Sequence, residues 1–251
     1  MSLKLLANWK LHGSKSFYQN WFSAFNQSYQ GSHHDSLGIA PPAIYISDIA
    51  RYSSNPGIAI GSQNIDQFSS GARTGEIASS MVKDAGGLFS ITGHSERRMF
   101  FNELDGDIAA KLDLASSTSL LPILCVGESR EERDQNKTEK VLEMQVSNVL
   151  RACSTLHSLT IAYEPVWAIG TGVMPEPEEI NSIHEMIKDV VQSRFPNIHL
   201  HAVIYGGSVN LENSQSIFKE KEIDGALIGG ASLNGGEFAS IANIFNDLKG
   251  L

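Results

Sequence analysis

The chain predicts an α/β fold, a (β/α)8 barrel of eight parallel strands ringed by helices. Three observations predict it. Eight short apolar runs recur along 251 residues, helix-periodic segments lie between them, and no low-complexity linker or abrupt composition shift divides the chain. Runs rich in Ile, Leu and Val are what strands buried on both faces require. Their alternation with helices over this length favours a closed barrel, with an open doubly wound sheet as the structural alternative. Residues 1–251 are accordingly expected to form a single barrel domain.

The runs are Leu3–Trp9, Leu37–Pro41, Ile58–Gln63, Leu88–Thr92, Leu120–Val126, Leu159–Tyr163, Leu200–Tyr205 and Gly225–Ile228. Among the intervening helical patterns Glu178–Phe195 is the clearest. Ile180, Ile183, Ile187, Val190 and Val191 line one stripe, Glu176, Glu178 and Glu179 favour the N-terminal end, and Arg194 followed by Pro196 marks the stop. Val141–Leu150 repeats the pattern with Leu142, Val146, Val149 and Leu150.

Composition narrows the function classes. A net charge of −9 with no run of Lys or Arg disfavours nucleic-acid binding and attachment to an anionic membrane. The apolar run in MSLKLLANWKLHG is too short for a signal peptide, and no segment approaches transmembrane length. Cys125 and Cys153 both sit in apolar stretches and are expected to be reduced structural thiols of a cytoplasmic protein.

In such a barrel the loops after the strands form the active face, and phosphate commonly sits after the seventh and eighth strands. Asn8-Trp9-Lys10 follows the first run, Gly93-His94-Ser95-Glu96-Arg97-Arg98 the fourth, and Glu164 the sixth. Glycine pairs follow the seventh (Gly206-Gly207-Ser208) and eighth (Gly229-Gly230-Ala231-Ser232). Backbone N–H groups without side chains can approach phosphate oxygens, although tight turns alone would also explain the glycines. Lys10 reads as a surface cation or as a counter-charge to a bound anion, and Asn8 two residues earlier shares its strand face. With Ser95 as helix cap, a neutral His94 could donate its N–H to a substrate carbonyl. Glu96 is expected to orient polar neighbours. Most other histidines, including His33, His34 and His184, read as surface residues.

The sixth strand end, AYEPVWAIGTG, poses the sharpest question. Ile161, Ala162, Tyr163 and Trp167 are expected to desolvate Glu164 and raise its pKa, suiting it to act as a base near neutral pH. Pro165-Val166-Trp167-Ala168-Ile169-Gly170-Thr171-Gly172 reads as a lid with an apolar tip, whose Gly170 can offer a backbone N–H to phosphate. A base beneath a lid suits a reactive intermediate that must be hidden from water.

Asn8-Trp9-Lys10, Gly93–Arg98, Ala162–Gly172, Tyr205-Gly206-Gly207-Ser208-Val209 and DGALIGGASL (Asp224–Leu233) resemble the triosephosphate isomerase family, in order and with matching spacing from residue 3 to about 245. The resemblance implies a TIM barrel that interconverts dihydroxyacetone phosphate and D-glyceraldehyde 3-phosphate in glycolysis and gluconeogenesis, without metal or organic cofactor. It implies that Glu164 shuttles the proton between carbons through an enediolate and that His94 polarises the carbonyl, roles for which this family is itself a standard example. Lys10 would supply positive charge, Asn8 a hydrogen bond, and Gly170, Ser208, Gly229 and Gly230 the phosphate site. A homodimer is implied too, with Arg73-Thr74-Gly75-Glu76 in a loop that inserts into the partner; an ordinary glycine-punctuated surface loop is the plainer reading.

Two departures stand out. Arg73 replaces a usual aromatic residue, which predicts a more polar, salt-sensitive dimer contact. Val173-Met174-Pro175 replaces a Lys followed by small residues at the lid's second hinge, and proline restricts both itself and Met174. Altered lid kinetics are expected, to be checked by comparing product release with Pro175→Ala. A Schiff-base aldolase would need a lysine inside a strand, and a silent phosphate-binding scaffold would be favoured by loss of Glu164, His94 or Lys10. All three are present.

Overall fold

The computed structural model describes residues 3–31, 34–52, 57–169 and 174–250. Its strands are β1 (Leu5–Asn8), β2 (Leu37–Ala40), β3 (Ala59–Ser62), β4 (Phe89–Thr92), β5 (Leu121–Val126), β6 (Ser158–Tyr163), β7 (His199–Tyr205) and β8 (Ala226–Ile228). They pair in sequence order, all parallel, and β8 returns to β1 through Leu5–Ala226, Leu6–Leu227 and Ala7–Ile228, closing the barrel. The open sheet is thereby set aside. One irregularity, between Leu159 and Thr160, shifts the β6–β7 register.

The helices are α1 (Lys15–Ser28), α2 (Ile46–Tyr52), α3 (Ser79–Asp84), α4 (Ser95–Phe101), α5 (Asp105–Ser117), α6 (Arg130–Asp134), α7 (Thr138–Ala152), α8 (Pro177–Arg194), α9 (Ser214–Lys219) and α10 (Gly235–Lys249). Their starts follow local chemistry. Ser14 Oγ accepts the Phe17 N–H at α1, Ser129 and Glu132 cap each other at α6, and Asn234 accepts two N–H groups at α10.

The strands are mostly apolar because each faces two cores. Leu6, Phe89, Ile91, Ile123, Ala162 and Ile204 fill the barrel interior. Their alternates, such as Leu5, Ile39, Leu124, Ile161 and Val203, pack outward with the helices. Phe89 needs space to do this: a Cβ on Gly61 would lie 2.5 Å from its ring and one on Gly38 2.9 Å. With the interior filled, ligand space remains at the strands' carboxyl ends.

The stripe of α8 holds Ile180, Ile183, Ile187, Val190 and Val191 as the sequence indicates, and it also holds His184. That histidine is fully buried, contrary to the surface reading, and the backbone of Glu222 and Val203, with the Glu222 charge, favours its charged form only weakly. Burial pushes its pKa down to about 3, with the Lys188 charge adding to the effect. His34 packs against the rings of Phe25 and Tyr29, and His33 lies outside the described residues. Cys125 is buried and Cys153 half-buried, both as free thiols.

Candidate active site

A cleft of about 740 Å³ opens at the carboxyl ends of the strands. Its lining includes Asn8, Lys10, His94, Glu96, Glu164, Ser208, Gly229 and Gly230, so these chain segments converge on one mouth. Gly170, Thr171, Gly172 and Val173 lie outside the described residues. Arg73, Thr74, Gly75 and Glu76 lie on the loop after β3 and do not line the cleft.

Asn8 ends β1, but Lys10 is not on the same strand face. Its backbone turns into the left-handed region at φ 49°, and its N–H donates back to Asn8 Oδ1 at 3.1 Å. Gln63 Nε2 holds the Lys10 carbonyl at 2.9 Å and the Ala40 carbonyl at 2.9 Å, which fixes this unusual turn. The Lys10 ammonium then meets Glu96 Oε1 at 2.6 Å. That pairing leaves a cation at the cleft wall and suits Glu96 to orient rather than to react.

His94, not Ser95, caps α4. Gly93 at φ +70° swings the chain round, and His94 Nδ1 accepts the Glu96 N–H at 3.2 Å. An accepting Nδ1 keeps the ring proton on Nε2, and Nε2 lies 2.9 Å from Glu164 Oε1. Ser95, the first residue of the helix, donates its N–H to Glu164 Oε2 at 2.9 Å. Consecutive residues thus address both oxygens of one carboxylate.

Glu164 is only 1% exposed. Burial alone would raise its pKa, as the sequence suggests. The His94 imidazole and the Ser95 N–H outweigh burial, and the carboxyl ends below its ordinary value. The correction is one of direction: polar partners, absent from a reading of apolar neighbours, decide the sign. Burial disfavours imidazolium too, but Glu164 reverses that and raises the His94 pKa. A second ring proton would break the Glu96 N–H bond, so the negative charge stays on Glu164 and the single ring proton on Nε2. Oε1 thus faces His94 Nε2 and Oε2 the Ser95 N–H, and the carboxylate stays charged although buried. Two glycines make room for the backbone and side chain of Glu164. A Cβ on Gly127 would stand 1.7 Å from Glu164 O, and one on Gly206 2.7 Å from Glu164 Cγ.

Beyond Glu164, Pro165 leads into a single 3-10 turn at Val166–Ala168. Trp167 is buried and donates Nε1–H to Glu128 at 2.7 Å. Glu128 follows β5 and is fully buried. Burial raises its pKa against the opposing hydrogen bonds of Trp167 and Tyr163. Arg133 stacks 4.0 Å from the Trp167 ring while pairing with Glu179. Glu128 went unread in the sequence although it stands one residue beyond Gly127 at a strand end, the very position that marks His94 and Glu164. Met99, Phe100 and Glu237 also line the cleft without a sequence signal for it.

The triosephosphate isomerase family model matches residues 4–245. The chain belongs to the triosephosphate isomerase family. It is 39% identical over 240 residues to the triosephosphate isomerase of Erwinia tasmaniensis, with 94% of each chain covered. It is 40% identical, with the same coverage, to the triosephosphate isomerases of Escherichia coli and Shigella boydii. The closed barrel and its family membership agree. Among the described residues no group of three or more His, Cys, Asp or Glu is placed to hold a metal ion, and no helix is long and apolar enough to cross a membrane.

Proposed function

We propose that this chain interconverts dihydroxyacetone phosphate and D-glyceraldehyde 3-phosphate by proton transfer through an enediolate, as a step of glycolysis and gluconeogenesis. The observation that carries the reading is one cleft lined by a buried carboxylate, an imidazole and an ammonium, with glycine loops on its rim, in a member of this family. Glu164 takes the proton from one carbon and returns it to the next. It can do so because its partners, the Ser95 N–H on Oε2 and His94 beside Oε1, keep it ionised. The Nε2–H of His94 turns from Glu164 to the substrate oxygens, where a neutral donor can both give and recover a proton. Lys10 offers fixed positive charge to the developing enediolate, and Asn8 a hydrogen bond. Ser208, Gly229 and Gly230 hold the phosphate, with Gly170 as the lid's contribution. Neither metal nor organic cofactor has a part in this scheme.

The wider assignments are proposals of the same kind: one domain over residues 1–251, located in the cytoplasm and working as a homodimer through the loop carrying Arg73–Glu76. Support for the dimer comes from large apolar side chains left exposed on the segments that follow neighbouring strands, among them Leu11 at 96%, Ile44, Phe68, Phe101 and Leu104. Phe68 lies directly beneath Arg73, whose guanidinium carbon is 4.7 Å from the ring centroid.

The test is direct. Purified protein supplied with D-glyceraldehyde 3-phosphate should form dihydroxyacetone phosphate, and Glu164→Gln should lose on the order of 10²–10⁴ in rate. An equally active mutant would reject Glu164 as the base. No turnover by either protein would favour a silent phosphate-binding scaffold.

A further inference from the structure

Both partners of the Glu164 carboxylate come from the three residues Gly93-His94-Ser95, so whatever fixes that segment fixes the base. The segment is anchored from behind. Arg98, one turn into α4, folds back to donate Nε–H to the Gly93 carbonyl at 3.1 Å and reaches the Cys125 carbonyl of β5 with Nη2 at 3.5 Å. Its remaining face is held by Asp105, whose Oδ1 accepts from Nη1 at 2.8 Å; Asn148 of α7 in turn donates to Asp105 Oδ2 at 3.3 Å. Arg98 does not line the substrate cleft. It lines a smaller cavity of about 180 Å³, shared with Ser95, Cys125 and Glu164.

We infer that Arg98, oriented by Asp105, is a positioning residue that sets where His94 Nε2 and the Ser95 N–H stand relative to Glu164. The planar guanidinium is the feature that matters: its fork spans two carbonyls and a carboxylate at once, which a lysine ammonium on a flexible stem cannot do. Gly93 makes the brace necessary. Its left-handed backbone and the abutting Ile108, which a Cβ there would meet at 2.8 Å, exclude a side chain, so residue 93 has none of its own to anchor the peptide that carries His94. A shift of about 1 Å at reacting groups can cost roughly a hundredfold in rate. Because Arg98 touches nothing in the cleft, its loss falls on turnover and spares substrate affinity.

This inference rests on the isomerase reading, and the experiment separates the two. Arg98→Lys, Arg98→Met, Asp105→Asn and the double variant Arg98→Met/Asp105→Asn are compared with wild type for kcat, KM, inhibition by inorganic phosphate and thermal unfolding. Arg98→Met and Asp105→Asn should lose roughly tenfold to a hundredfold in kcat, while KM and phosphate inhibition stay within about twofold. Arg98→Lys should fall between, and the double variant should be no worse than Arg98→Met alone. Unchanged kcat in folded Arg98→Lys and Asp105→Asn overturns the inference, as do KM or phosphate inhibition weakening in step with kcat, additive losses, or failure of all the variants to fold. A wild-type protein without turnover overturns the isomerase reading itself.

Discussion

His184 and Glu164 are both buried ionisable groups, and they respond in opposite ways because the charged form is well supported in one and poorly in the other. Glu164 has an N–H donor and an imidazole beside it and keeps its charge. His184 has Tyr163 edge-on at 6.1 Å and the Lys188 charge nearby, with the Glu222 side too weak a counterweight, and it stays neutral to about pH 3. The unfolded chain binds that proton near 6.5. Between these values the unfolded state holds more protons, so stability rises with pH across the window. The His184 contribution is complete above about pH 6.5 and is lost as pH falls toward 3. His184→Gln should therefore flatten the acid limb of the stability curve, removing on the order of 1–4 kcal/mol of its pH dependence. Denaturant unfolding measured from pH 7 to 4 checks this; an unchanged slope would mean the ring is solvated.

The turn after β6 and the interior of the barrel show how elements constrain one another. Trp167 ties the Val166–Ala168 turn to the β5 end through Glu128, and the Arg130 and Arg133 guanidiniums lie 4.9 Å and 4.0 Å from its ring. Trp167→Phe keeps much of the ring but leaves the buried Glu128 without its shortest donor. That should cost about 1–3 kcal/mol in urea unfolding, and Glu128→Gln in the same background should recover part of it. In the barrel, Gly61→Ala drives a methyl into Phe89. An overpacked interior of this kind loses about 1–3 kcal/mol, and Phe89→Leu should relieve it.

At the scale of the molecule, the open question is how the exposed apolar loops are covered. Arg73 is occupied within its own chain, with Nε 2.9 Å from Asp66 Oδ2 and the guanidinium over Phe68. An aromatic side chain at this position would add apolar contact where Arg73 adds charge. The proposed dimer should consequently weaken as salt rises, because a partly exposed charged contact is screened. Sedimentation equilibrium at 0.05 M and 0.5 M salt, both set here as test conditions within the range where screening changes strongly, reads that dependence. Arg73→Phe should reduce it, and Ile44→Asp should favour monomers. A salt-independent dimer with Arg73 intact would reject this account of position 73.

Much of this was written in the chain itself. Eight apolar runs between helical stripes point to parallel strands buried on both faces and favour the barrel, and the pairing of β8 with β1 decides against the open sheet. Asn8, Lys10, His94, Glu96 and Glu164 stood out because they follow strand ends. His184 could have been read as well, since it lies four residues after Ile180 and three before Ile187 on the same stripe. Other features had no local signal. The sign of the Glu164 shift, the cap at His94 and the brace from Asp105 through Arg98 each depend on groups from separate segments meeting within hydrogen-bond distance. Periodicity is a property of neighbours along the chain, so sequence alone determined the elements and their order. Hydrogen bonds and charge pairs depend on distances through space, so only the closed barrel decided which groups share a proton.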